Sequence, residues 1–293
     1  MATYGDAVRI MFKRPFAILY FSLITLVGCG IGRYNPVSTL LYGFGTFGIG
    51  NLLDSILSLI RLSIGFLSKW NTALKAALIT LGLLAAVSLL IGLAFSGLLG
   101  IINNAVDSKP KFKGELVWGI KKYFSRTAWI SFKVLFFSLL FVIFAAVASV
   151  PAIMITKAWL GGNSGLLLSA VFFDALTAGV LALGLLFFRA YMFFWYPAAL
   201  NVGKGAFLRG KRTVDSFFWS FAARLVAVDI AYGVYQFLFI YVQGMMGQQN
   251  PPNMAVNMML FFVNWIFKTL LFSSLVFYVF LAFKTHREEL NAA

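Results

Sequence analysis

A chain of 293 residues with 61% hydrophobic side chains and a mean hydropathy of +0.90 holds more apolar surface than a water-soluble fold can bury. A single cysteine and a single histidine exclude an internal disulfide and a Cys/His metal site. Net charge is +15, from 24 basic and 9 acidic residues, which in a soluble protein would point to nucleic acid; here the basic residues flank apolar runs, so anionic lipid headgroups are the expected partner and nucleic acid is not.

The expected fold class is an all-α polytopic membrane protein. Runs of about 20 apolar residues recur, each long enough for a hydrocarbon core of roughly 30 Å. They lack the alternation of a β-barrel. In chain order the spans fall over 15–32, 76–102, 128–155, 166–188 (extending toward 196), 221–245 and 255–283.

Pro15 suits an early position in the first helix. The run ending Leu26-Val27-Gly28-Cys29 is similar to the lipobox of bacterial lipoprotein signal peptides, which would make Cys29 a lipidated residue. The preferred reading is a retained helix in which Gly28 and Gly32 form a small-xxx-small packing face. The segment 34–70 opens on the glycine- and aromatic-rich "YGFGTFGIG" and closes on an amphipathic stretch with Asp54, Ser58 and Arg61 on one side. It is read as an external interfacial or re-entrant element, since irregular backbone at membrane depth needs protein cover. The alternative, a seventh span, would move the most basic loop outside.

Charge sets the orientation. Arg9, Lys13, Arg14, then Lys109, Lys111, Lys113, Lys121, Lys122 and Arg126, then Lys204, Arg209, Lys211 and Arg212, then Lys284 and Arg287 all fall on one side of a six-span chain. Only Arg33, Arg61, Lys69, Lys75 and Lys157 fall on the other. Both termini are therefore expected in the cytoplasm.

Three basic junctions look alike: "GDAVRIMFKRPF" from Gly5, "GELVWGIKKYF" from Gly114 and "GAFLRGKRTVDSFFW" from Gly205. In the middle one Leu116, Ile120, Tyr123, Phe124 and Thr127 share a helical face. Such a helix can lie in the membrane interface with its lysines toward phosphate; the third junction reads as a weaker amphipath. A single integral membrane domain over 1–293 is expected, built as hairpins 1–102 (with the external insertion 34–70), 103–200 and 201–293, each led by a basic interfacial helix. The alternative is that these are only positive flanks with chance likeness. The plan and the "GELVWGIKKYF"-type junctions resemble the membrane domain of glycerophosphodiester phosphodiesterases and related bacterial six-helix families. That resemblance implies a multi-pass protein of accessory kind in the prokaryotic cytoplasmic (inner) membrane. No soluble phosphodiesterase domain accompanies these spans, so that activity is not expected to carry over.

Ionisable residues inside spans are costly and are the default functional candidates. Asp229 lies about 16 Å into the fifth span. Lys268 lies at similar depth in the sixth, and Asp174 in the fourth somewhat nearer the outside. The three are expected to form an intramembrane polar network in which an Asp229–Lys268 pair is sterically natural and Asp174 could compete for the same lysine, either as a relay or as a buried ion pair that fixes helix register. Gln236, Asn264 and Tyr232 could complete it. Lys133, Arg189 and Arg224 are read as snorkelling cations without a site role. Lys109, Lys111, Lys113, Lys121, Lys122, Arg126, Lys204, Arg209, Lys211 and Arg212 are the candidate headgroup contacts. No Walker loop, zinc motif or Ser/His/Asp set is present, so no catalytic residue, no metal and no cofactor is expected. The expected function is a non-enzymatic subunit or scaffold holding anionic lipid and another membrane protein; the alternative is a transporter using the Asp/Lys network. The 33 phenylalanines are read as lipid-facing and packing bulk.

Overall fold

The computed structural model describes residues 3–32, 70–202, 205–247 and 254–292, and no strand occurs among them. The helices are α1 (Tyr4–Phe12), α2 (Pro15–Gly32), α3 (Trp70–Val106), α4 (Glu115–Leu160), α5 (Leu167–Val202), α6 (Ala206–Asp215), α7 (Phe218–Gly247) and α8 (Met254–Ala292), with a 3-10 turn at Ser164–Leu166. Five helices are long and apolar enough to cross a membrane, or six if the bent pair Tyr4–Phe12 and Pro15–Cys29 counts as one span. The chain is an all-α multi-pass membrane protein. The expected insertion 34–70, all but its last residue Trp70, and Lys204 lie outside the described residues.

Local chemistry explains the helix starts. Thr3 and Asp6 form a reciprocal capping box at α1. Pro15 opens α2 after a bend of 98°. Gly114 (φ +82°) and Gly205 (φ +78°) both take the left-handed conformation immediately before α4 and α6. Only glycine adopts that geometry at little cost. Gly5, by contrast, sits inside α1.

Two expectations about the junctions change. The middle junction is no separate surface helix: its residues form the first turns of the continuous 46-residue α4. Its apolar face packs on α3, because Gly97 lets the helices touch; a Cβ there would meet Leu116 O at 2.9 Å and Ile120 Cγ1 at 3.1 Å. The third junction is a clear amphipath rather than a weak one. α6 buries Ala206, Gly210, Thr213 and Val214 and exposes Arg209, Lys211 and Arg212.

The chain divides into two compact units. In the first (Met1–Arg33, Leu93–Thr127, Arg189–Ala293), α8 is the centre, and α1, α2, α6 and α7 all pack on it. Of its most apolar window 56% is buried, against at most 11% in the other four spans, so α8 is packed by protein where they are left largely uncovered. Thr25 and Thr269 share a 2.6 Å hydrogen bond, Trp265 Nε1 donates to Ser22 O at 2.7 Å, and Tyr4 and Ser274 hydroxyls meet. Phe194 and Phe221 stack edge to face at 4.7 Å beside Tyr278. The second unit (Tyr34–Gly92, Ala128–Phe188) holds the stacked Phe141–Phe188 pair, with Gly184 giving room for the Phe141 ring. Among the described residues nothing lies within 4 Å of where a Cβ on Gly28 would stand. Cys29 is a half-buried free thiol within α2.

Candidate functional site

The densest polar cluster joins the α1–α2 bend, the end of α3 and the start of α4. Lys13 caps α1 and Pro15 starts α2, which leaves Arg14 at the bend. Arg14 is only 6% exposed and Glu115 only 9%. A buried cation needs a counter-charge and full hydrogen bonding. Arg14 Nη1 donates to Glu115 Oε2 at 3.0 Å, and Nη2 donates to Lys109 O at 2.5 Å. Asn104 Nδ2 donates to the other Glu115 oxygen at 2.9 Å. Glu115 occupies the first turn of α4, where the helix dipole also favours a carboxylate.

The connecting turn is held as firmly. Ser108 has a left-handed φ of 57°, and Lys109 N–H returns to Asn104 O at 2.9 Å. Lys109 Nζ pairs with Asp107 at 2.9 Å; Lys284 of α8 donates to Val106 O at 3.0 Å and stands 3.8 Å from Asp107. Two open clefts of about 420 and 300 Å³ flank Arg14. One has apolar walls from Phe16, Ile101 and Leu116; the other is edged by Lys13, Lys109 and Lys111.

The candidate headgroup residues Lys109, Lys111, Lys113, Lys121, Lys122, Arg126, Arg209, Lys211 and Arg212 are all exposed. Arg126 also donates to Leu200 O, and Lys122 lies 4.5 Å over the Trp118 ring.

The intramembrane residues are not joined as expected. Asp229 pairs with Arg189 through two hydrogen bonds of 2.6 and 3.0 Å, so Arg189 is a counter-ion and not a snorkelling bystander. Geometry decides this: a guanidinium matches both carboxylate oxygens at once. Asp174, in the second unit, accepts from Thr156 at 2.8 and 3.0 Å. Lys268 is half-buried on α8 with no hydrogen-bond or ion-pair partner among the described residues. Gln236 and Asn264 do bond, at 3.2 Å, without an ionisable member. Removing one member of the Arg189–Asp229 pair should show how tightly it is coupled. Asp229→Ala should destabilise by about 1–3 kcal/mol by stranding the guanidinium. The double variant Arg189→Leu with Asp229→Leu should cost less than Asp229→Ala alone. Thermal unfolding in detergent micelles checks both, and simple additivity of the single losses would show the pair to be uncoupled.

No group of histidine, cysteine and acidic side chains able to hold a metal ion occurs among the described residues. No family model, curated protein or solved structure matches the chain. The site is therefore argued from its own geometry. Sequence reasoning missed Arg14, Glu115 and Arg189. A signal for Glu115 was present, since it is the sole carboxylate between Asp107 and Asp174 in a strongly basic stretch.

Proposed function

We propose that this protein is a non-catalytic subunit or scaffold of a prokaryotic cytoplasmic-membrane complex, with both termini in the cytoplasm and anionic lipid held on that face. One observation carries the reading. The amphipathic helices α1 and α6 both pack on α8 and turn basic side chains outward, among them Arg9, Lys211 and Arg212. Lys109, Lys111, Lys113, Lys121 and Lys122 add exposed charge from the α3–α4 turn and the start of α4. Clustered cations beside spans attract anionic headgroups by about 1 kcal/mol each. The partner within the complex would be another membrane protein, in keeping with the accessory character implied by the resemblance to six-helix families. The transporter alternative drew on Asp174, Asp229 and Lys268 at membrane depth; the pairing of Asp229 with Arg189 takes one of the three out of that set.

Charge reversal is the direct test. Lys121→Glu with Lys122→Glu, and Lys211→Glu with Arg212→Glu, should each lower retention of the protein on phosphatidylglycerol vesicles several-fold while leaving neutral vesicles unaffected. Unchanged retention in both variants would sink the reading.

A further inference from the structure

The two clefts meet at Arg14 and Lys111, which line both, and taken together they make a trough with unlike ends. Lys13, Lys109 and Lys111 edge the polar end, and Phe16, Ile101 and Leu116 wall the other. Its lining carries four basic side chains (Lys13, Arg14, Lys109 and Lys111) against one carboxylate, Glu115. Arg14 is already engaged by Glu115 and by Lys109 O, so its role is to hold the wall. The unspent positive charge is that of Lys13 and Lys111, both exposed, with Lys109 shared with Asp107.

We infer that this trough binds one anionic glycerophospholipid, its phosphate between Lys13, Lys109 and Lys111 and an acyl chain along Phe16, Ile101 and Leu116. The inference rests on the anionic-lipid reading above but narrows it from a charged surface to one site. Three features favour a lipid over a free anion. The trough is amphipathic along its length, and a soluble phosphate has no use for the apolar end. Its volume lies within the range of small-molecule sites, about 300–1,000 Å³. Its apolar walls come from α2, α3 and the start of α4, helices with apolar, membrane-spanning composition. The edge is also set in advance: the Ser108 turn, the Lys109 N–H bond to Asn104 O and the buried Arg14–Glu115 pair fix the lysine-bearing loop before any ligand arrives. Preorganisation of this kind reduces the ordering cost of binding.

Native mass spectrometry of the full chain, in detergent with mixed phosphatidylglycerol and phosphatidylethanolamine, reads the site. Wild-type protein should keep one phosphatidylglycerol under activation that strips the rest. Lys109→Gln with Lys111→Gln should weaken that retention about tenfold or more. Phe16→Ala, on an exposed apolar wall, should weaken it several-fold with the lysines intact. Lys121→Gln with Lys122→Gln should leave the single lipid in place while reducing vesicle retention, which separates this site from the general basic face. Matching thermal midpoints confirm that each variant is folded. The site is disproved by any of three results: a retained lipid indifferent to Lys109 and Lys111, full displacement by millimolar inorganic phosphate, or an acidic protein segment in place of the lipid. A single retained lipid without any vesicle preference would overturn the broader reading and leave the site standing.

Discussion

Glu115→Ala should cost the protein about 3–5 kcal/mol of stability, the range found when one partner of a buried ion pair is removed. The reason lies in what remains. Arg14, 6% exposed, would keep its charge and its bond to Lys109 O but lose its counter-ion. Asn104, 1% exposed, would lose the acceptor of its amide, and its Oδ1 already lacks a partner among the described residues. Glu115→Gln should fall between wild type and alanine, because it keeps an acceptor for Asn104 and loses only the charge. Joint replacement, Arg14→Met with Glu115→Leu, should recover much of the loss, since no buried charge is then left alone. The readout is the thermal midpoint followed by tryptophan fluorescence in micelles. A loss no larger than that of the exposed control Lys121→Ala would refute the account.

Gly97→Leu should be of comparable severity for a different reason. Its Cβ would stand 2.9 Å from Leu116 O and 3.0 Å from Leu116 Cγ, and a Cβ on Gly119 would stand 3.0 Å from both the Cα and the O of Gly97. The nearest obstacles are backbone, which cannot rotate away as a side chain can. The helices would have to separate, at about 1–3 kcal/mol or more. Separation would also move Leu116 and Glu115 from the Arg14 cluster. Gly233→Ala supplies the control. Nothing lies within 4 Å of its Cβ position, so the exchange should be neutral or stabilising by up to about 1 kcal/mol of helix propensity. Equal midpoints for Gly97→Leu and Gly233→Ala would show that the close approach is not required.

The spans were legible because a membrane helix is defined by local composition. Five expected spans fall within longer helices, and the first coincides with α2 at 15–32. The helices overrun the apolar windows because polar ends such as Glu115–Arg126 continue the helical ladder instead of lying flat. Helix starts were legible too, where Pro15, Gly114 and Gly205 restrict or permit particular backbone angles. What local reading could not supply was pairing. Arg14 counted as one more positive flank, yet its partner lies 101 residues away. Depth alone pointed to Lys268 as the mate of Asp229 and set Arg189 at the boundary, whereas the guanidinium of Arg189 meets both carboxylate oxygens. The glycines teach the same lesson. Gly28 carried the expected motif and meets no neighbour among the described residues, whereas Gly97 and Gly119, unremarked in the sequence, bring two backbones together.

The position of α8 has a consequence for how the chain is made. α1 and α2 leave the ribosome well before α8, yet the faces they bury belong to it; Thr25 waits for Thr269, 244 residues later, and Tyr4 for Ser274, 270 later. At synthesis rates of about 5–20 residues per second, that interval is roughly 12–55 s. For all of it the faces that α1 and α2 later turn to α8 stay uncovered, with the Thr25 hydroxyl bonded only to Phe21 O and Ser22 O of its own helix. Assembly of the first unit is thus a single late event, and a chaperone or insertase that shelters Thr25 and Tyr4 would act within that interval.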